Sequence, residues 1–203
     1  WPTRGTTVTR PNIGFQHAQV TNGLWDARND WPKLIGTHEI MVFATLSKHA
    51  NADGESWPSQ TTIAKASGMS RASVQRALEN LSDAGLVRIR GWAHRGRRTS
   101  NHYYVPACPE TFTQVPFELW DLDLTAYERA VYIVLCKFSD AHGECYPSAR
   151  QIADLSGMSV RKVTYAIRGL ERAGAIRTTS GQGTGRSNHY MLPPLAPGVH
   201  QRH

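Results

Sequence analysis

Residues 59–85 read SQTTIAKASGMSRASVQRALENLSDAG. The stretch divides at Gly68. Ile63 and Ala64 belong to one short helix, and Val74, Ala77, Leu78 and Leu81 recur at the spacing of a second. Ser59 leads into the first helix as its cap. Ser70 caps the second, its hydroxyl accepting from the amide of Ser73, one of the orphan donors that a new helix leaves. Met69 before that cap and Val74 four positions after it form a hydrophobic staple, which sets the angle of entry. Gly68 falls between the helices, where a left-handed backbone is cheap only for glycine. Ala64, Gly68 and Val74 are then the small, turning and buried positions that two closely packed helices require. With the apolar face turned inward, Arg71, Ser73, Gln75 and Arg76 point elsewhere.

The same device returns at residues 148–174, SARQIADLSGMSVRKVTYAIRGLERAG. An offset of 89 carries Pro58 to Pro147, Ile63 to Ile152, Gly68 to Gly157, Val74 to Val163, Leu81 to Leu170 and Gly85 to Gly174. Ser148 answered by Gln151 completes a capping box in the second copy. A single helical hairpin is commonplace, whereas two copies with one turn and one basic flank mark a repeated functional unit. The 203 residues therefore divide into two halves, each long enough for a modest core.

Charge follows the repeat. The chain carries a net +7. Residues 70–104 hold seven Arg and two acids, and residues 159–191 hold six Arg or Lys and one acid, so each segment is +5 and the remainder −3. A generally solvated basic surface would spread the charge, whereas a polyanion binder concentrates it. Cys108, Cys136 and Cys145 make no CxxC pair, and an odd count without metal spacing points to a reducing compartment; Cys136, inside an apolar helix, is expected to be buried. No run approaches the length of a membrane span and no signal peptide pattern is evident. Beginning at Trp1 rather than Met, the sequence reads as a trimmed chain.

Residues 1–19, with Pro2, Gly5, Pro11, Gly14, Arg4 and Arg10, read as a flexible basic arm. VTNGLWD at 20–26 returns as VPFELWD at 115–121, an offset of 95, and Trp25 and Trp120 are expected to pack on the helix that follows each. The fall in offset from 95 to 89 places six extra residues around Asn29–Leu34 as a loop insertion. A first helix comes next in each half. Thr125 and Glu128 cap it in the second, with Val131, Val134, Leu135 and Phe138 on one face; Gly36, Glu39, Val42 and Leu46 take the corresponding places in the first. Polar turns at 51–55 and 140–144 lead to Trp57-Pro58-Ser59 and Tyr146-Pro147-Ser148, where proline marks the boundary of the next helix. After Gly85 and Gly174 come strands over 86–90 and 175–178, Gly- and Arg-rich tips over 91–100 and 180–187, and returns through SNHY at 100–103 and 187–190.

Other chemistry fails on spacing. The first polar turn has too few acids for a calcium loop. GQGTGR, residues 181–186, lacks the GK[ST] ending of a phosphate loop and joins no strand to a helix. His94, His102 and His189 lack partners at ligand spacing, so no metal and no cofactor are expected. No Ser-His-Asp or paired-carboxylate arrangement assembles, so no catalytic residue is assigned and the chain is not read as an enzyme.

WPSQTTIAKASGMSRASVQRALENLSDAGLVRI (57–89) and YPSARQIADLSGMSVRKVTYAIRGLERAGAIRT (146–178) resemble the winged helix-turn-helix domains of bacterial transcription regulators, and are similar to those of phage and plasmid replication proteins. The lead-in FTQVPFELWDLDLTAYERAVYIVL (112–135) is typical of the latter. The resemblance implies a mainly α fold with small β-hairpin wings (α+β): two tandem winged helix-turn-helix domains at 20–105 and 112–192, a linker at 106–111 and a tail at 193–203. It implies a double-stranded DNA partner, a cytoplasmic, nucleoid-associated location, and no membrane or small-molecule ligand. A monomer suffices for binding, with a dimer as the alternative.

Residues expected at DNA in the first half are Ser59, Gln60, Thr61, Ser70, Arg71, Ser73, Gln75, Arg76, Arg88, Arg90, His94, Arg95, Arg97 and Arg98. In the second they are Ser148, Arg150, Ser159, Arg161, Lys162, Thr164, Tyr165, Arg168, Arg177 and Arg186. Helix residues would read base edges, cap hydroxyls and wing arginines would hold phosphates, and the wings would reach the minor groove. A transcriptional regulator is the leading reading and a replication initiator the alternative. A protein-interaction module is a third reading, which would call for apolar residues where Arg and Lys stand.

Overall fold

The computed structural model describes residues 17–30, 35–94, 97–106, 112–179 and 188–195, with side chains omitted at 27–30, 92–94 and 97–100. The first half runs β1 (His17–Thr21), α1 (Gly23–Asp30), α2 (Thr37–His49), β2 (Glu55–Ser56), α3 (Gln60–Ser67), α4 (Arg71–Asp83), β3 (Arg88–His94) and β4 (Arg97–Tyr104). The second runs β5 (Phe112–Pro116), a 3-10 turn (Phe117–Trp120), α5 (Ala126–Phe138), β6 (Glu144–Cys145), α6 (Ala149–Ser156), α7 (Val160–Arg172), β7 (Arg177–Thr179) and β8 (His189–Met191). This is the α+β architecture of two tandem winged helix-turn-helix units.

Helices α3 to α7 each start at a hydroxyl cap. Ser59 Oγ accepts from the Thr62 amide at 3.0 Å, Ser70 Oγ from Ser73 at 3.1 Å, Ser148 Oγ from Gln151 at 3.2 Å and Ser159 Oγ from Lys162 at 3.3 Å. Thr125 and Glu128 exchange both bonds of a capping box, and Glu39 Oε2 accepts from the Gly36 amide at 2.9 Å. The turns between α3 and α4 and between α6 and α7 pass through Gly68 (φ 67) and Gly157 (φ 69), both left-handed. After α4, the Leu86 amide reaches back to the Leu81 carbonyl at 2.9 Å and ends the helix.

The wings are larger than the sequence reading expected. Each sheet has three strands, ordered β2-β4-β3 and β6-β8-β7, not two. Glu55 and Ser56 pair with Tyr104 and Tyr103, and Glu144 and Cys145 with Met191 and Tyr190. The extra strand follows from the polar turns before it. Asn51 Oδ1 accepts from the amides of Asp53 (3.0 Å) and Glu55 (2.8 Å), and Asp140 Oδ1 from His142 (2.8 Å) and Glu144 (2.9 Å). These bonds fold the chain back along the wing. The small Ser56 and Cys145 side chains then fit under it, both buried. The wing tips at 95–96 and 180–187, residues 1–16 of the arm, 31–34 of the insertion, 107–111 of the linker and 196–203 of the tail lie outside the described residues.

The two halves are joined through their interiors. β1 pairs antiparallel with β5, from His17↔Pro116 to Thr21↔Phe112. His17 to Gln19, assigned to the arm by the sequence reading, therefore form a strand. Gln19 pairs with Gln114, its own counterpart at the offset of 95, so the ladder is centred on equivalent residues. Such a pairing places a local two-fold axis between the two strands. The other crossings obey it. α2 packs on α5. Thr37 Oγ1 donates to the Ser156 carbonyl at 2.9 Å, while Gly68, the counterpart of Gly157, faces the N-terminus of α5, where an added Cβ would lie 3.8 Å from the Ala126 nitrogen.

The tryptophans reach across as well, a contact that the sequence reading did not include. Trp120 Nε1 donates to Thr45 Oγ1 of α2 at 3.3 Å, and the Lys48 ammonium lies 4.9 Å from the Trp120 ring centroid. Lys137 of α5 lies 5.9 Å from the Trp25 ring centroid in the mirror contact. The expected loop insertion is partly helical: α1 has 8 residues where the second half has a 4-residue 3-10 turn. One apolar core runs through both halves, from Val20 and Phe43 to Val134 and Tyr190.

Gly68→Val should cost about 1–3 kcal/mol, because a β-branched residue resists positive φ. The added Cβ would lie no nearer than 3.4 Å to any neighbour, so the penalty is conformational rather than steric. Urea unfolding of the variant checks it, and an unchanged midpoint would contradict the left-handed turn.

Candidate nucleic-acid interface

α4 is amphipathic by construction. Val74, Ala77, Leu78 and Leu81 are buried, while Arg71, Gln75 and Arg76 are exposed and Ser73 is half-buried. Glu79 accepts from Gln75 Nε2 at 3.1 Å, which steadies Gln75 along the helix without burying it. The helix is anchored from behind: the buried Glu39 of α2 accepts from Asn80 Nδ2 at 2.9 Å. In the second half Gly169 stands where Asn80 does, and the Glu128 carboxylate lies directly against its Cα, in the space a Cβ would occupy. Both solutions hold the reading helix against the first helix of its own half.

α7 presents a heavier surface. Arg161, Lys162, Thr164, Tyr165 and Arg168 are all exposed. Arg161 Nη2 donates to the Tyr165 hydroxyl at 3.4 Å, and its guanidinium lies 5.7 Å from that ring. Thr164 Oγ1 donates to the Val160 carbonyl of its own helix at 3.0 Å. Lys162 lies 5.1 Å from the ring of Tyr127, a 41% exposed aromatic that the sequence reading did not assign. Thr125, Tyr127, Glu128, Lys162, Tyr165 and Arg168 border a cleft of about 610 Å³ along this face.

The flanking groups fall in place around the two helices. Ser59, Gln60 and Thr61 open α3, and Ser148 and Arg150 open α6. Arg150 pairs with Asp154 one turn on at 3.4 Å, an exposed contact of little energetic weight. On the first wing Arg88 stacks on Tyr104 at 4.1 Å and, with Arg90, Glu55 and His102, lines a cavity of about 200 Å³. Arg177 is exposed on β7. The side chains of His94, Arg97 and Arg98 are not described, and Arg95 and Arg186 lie outside the described residues.

The recurring histidines have a structural partner that the sequence reading missed. Trp57 stacks on His102 with centroids 5.0 Å apart, and Tyr146 on His189 at 4.8 Å. His102 Nε2 faces Glu55 at 3.4 Å and His189 Nε2 faces Glu144 at 3.7 Å. The signal was present in the aromatic-Pro-Ser and SNHY pairs, which recur together in both halves. Among the described residues no group of three His, Cys, Asp or Glu could hold a metal ion. Cys136 is half-buried, contrary to the expectation from its helix, because it lies near the end of α5; Cys145 is buried, and burial pushes its thiol up to about 12. Among the described residues no helix is long and apolar enough to cross a membrane.

The turn of each unit lies against the N-terminal part of the first helix of the other half. Thr37, His38 and Glu39 of α2 share a cleft of about 410 Å³ with Gly157, Met158, Ser159, Tyr127 and Lys162. His38 and Tyr127 are equivalent at the offset of 89, so equivalent residues of both halves line this cleft. A family model for the helix-turn-helix domain matches the chain twice, at residues 33–87 and 122–176, which together exceed half its length. The chain belongs to the helix-turn-helix family. The matches coincide with α2–α4 and α5–α7, so each repeat is one such domain, and the family carries a DNA-binding function. A search of curated proteins finds no match to this helix-turn-helix chain.

Each N-cap serine should support its reading helix. Ser70→Ala and Ser159→Ala are each expected to cost about 1 kcal/mol, the usual value of a cap hydroxyl, in urea titrations. A neutral result at either site would show that the cap bond adds nothing there.

Proposed function

We propose that this helix-turn-helix protein binds a specific duplex DNA site without catalysis and acts as a transcriptional regulator. The observation that carries the reading is the pair of capped, exposed polar helix faces, Arg71–Arg76 and Arg161–Tyr165, each inside a segment of net +5. Arginine pairs with guanine edges and glutamine with adenine edges in the major groove. Arg71, Gln75 and Arg76 fit that role in the first half, and Arg161, Lys162 and Tyr165 in the second. Thr164 already donates to its own helix, which leaves its methyl as the group free for a thymine contact. Ser59, Ser70, Ser148 and Ser159, with Gln60 and Thr61, stand at helix N-termini, where phosphate is favoured. Arg88, Arg90 and Arg177, with the remaining wing arginines, would hold the flanking backbone. A DNA partner places the protein inside the cell.

The two reading helices differ in sequence and belong to one chain, so a monomer reads a composite site with two dissimilar subsites. Helix packing supports the span. Three interaxial steps, α4 to α2 to α5 to α7, at ~8–10 Å each reach up to ~30 Å, close to the ~34 Å between successive major grooves. A replication initiator is the second reading, favoured by the tandem arrangement of two winged units in one chain. Its origin repeats, rather than a promoter, would lie beside the gene.

Affinity for a selected duplex should fall steeply with salt, each phosphate contact adding about −0.9 to the log–log slope. A slope near zero would contradict the reading. Arg76→Ala should relax base preference in one subsite and Arg161→Ala in the other, each at roughly 1–3 kcal/mol. Binding-site selection with each variant tests this; both variants altering the same base pairs would overturn it.

A further inference from the structure

Tandem domains in one chain can face DNA in two ways. Halves related by translation read two subsites in the same direction. Halves related by a two-fold rotation read them in opposite directions, because the duplex backbone has its own two-fold axes. From the internal pairing of this chain, and resting on the DNA-binding reading above, we infer that the single chain works as a built-in pseudo-dimer: its two subsites are inverted about a dyad that lies under the seam between the halves.

Two observations fix the axis. At one end, the β1–β5 ladder is centred on the equivalent pair Gln19 and Gln114. It lies toward the C-terminal ends of α2 and α5, where Lys48 Nζ donates to the Phe117 carbonyl just after β5 at 3.4 Å. At the other end, the equivalent residues His38 and Tyr127, near the N-termini of α2 and α5, share one cleft. The helix-turn-helix turns flank that end. Gly157 and Ser159 line the cleft itself, and Gly68 faces the N-terminus of α5. Both reading helices therefore begin beside the same end of the axis, away from the ladder, and one duplex lying across that end meets both. The axis then passes through the duplex between the subsites, and the bases read by α4 and α7 run outward from it in opposite directions.

The contact residues differ between the halves, so the natural site is asymmetric in sequence although inverted in arrangement. The orientation becomes visible when the two helices are made alike. Replacing the exposed residues at the start of α7 with their counterparts from α4, by Val160→Arg, Arg161→Ala, Lys162→Ser, Thr164→Gln and Tyr165→Arg, gives one chain whose two reading helices carry the same residues at 71–76 and 160–165. All five positions are exposed, so the core is untouched. Selection from random duplex should then change from an asymmetric site to a perfect inverted repeat, with one chain per duplex by native mass spectrometry. A direct repeat would overturn the inference.

The reverse graft, Arg71→Val, Ala72→Arg, Ser73→Lys, Gln75→Thr and Arg76→Tyr, makes the same test from the other half and stands in if the first variant folds poorly. If both grafted chains select only a lone subsite, the helices do not share one duplex and the inference also fails. Failure of the parent chain to select any duplex would instead remove the DNA-binding reading itself.

Discussion

The structure depends on two helices that neither half can cover alone. α2 buries ten of its 13 residues, and α5 buries eight of its 13. A helix that is apolar nearly all round needs neighbours on every side. Within its own half, α2 packs on α3, α4 and strands β1 and β2. Its remaining side is closed by α5 and by Trp120, and α5 is closed in turn by α2. Each large apolar side chain removed from water in this way is worth about 1.5–3 kcal/mol. Separating the halves would expose a row of them at once. The β1–β5 ladder and the paired tryptophan contacts fix the register in which this burial occurs.

Symmetry of the frame coexists with asymmetry at the positions that matter for reading. Asn80 donates to the buried Glu39 in one half, whereas Gly169 makes room for Glu128 in the other. Arg129 occupies the place that Ile40 holds in the first half. Its guanidinium is buried and donates to the carbonyls of Leu119 (3.4 Å) and Leu122 (2.8 Å), and an added Cβ on Gly68 would lie 3.4 Å from it. Burial lowers its pKa, and the nearby Asp123 and Glu128 act in the opposite sense, so it stays charged. The first half's turn thus rests against a cation of the second. On the surface, the bulky Lys162, Tyr165 and Tyr127 set one reading face apart from the leaner face that carries Ser73 and Arg76.

The helix-turn-helix units were legible because their determinants are local. Ser59, Ser70, Ser148 and Ser159 act within three residues of themselves, and Gly68 and Gly157 are demanded by the backbone at one point. The joining of the halves was not legible, because it rests on long-range pairing. Reading α5 from Val131, Val134, Leu135 and Phe138 found one face of a helix whose run AVYIVLC, residues 130–136, is buried almost all round. That uninterrupted run, and IMVFATL at 40–46, were the available sign of cover from a second half. The third wing strand escaped because its two residues follow a polar turn and carry no alternation of their own. The stacked Trp57–His102 and Tyr146–His189 pairs escaped because each joins segments more than forty residues apart.

Native-state amide exchange measures the shared core most directly. If α2 and α5 complete each other, the slowest amides of α4 and α7 must open only with the whole chain, at one common free energy and one common denaturant slope. The account predicts that coincidence, with the β1 and β5 amides joining the same unit. Protection in the second half that outlasts opening of the first, or separate slopes for α4 and α7, would show two domains that merely touch, and would contradict it.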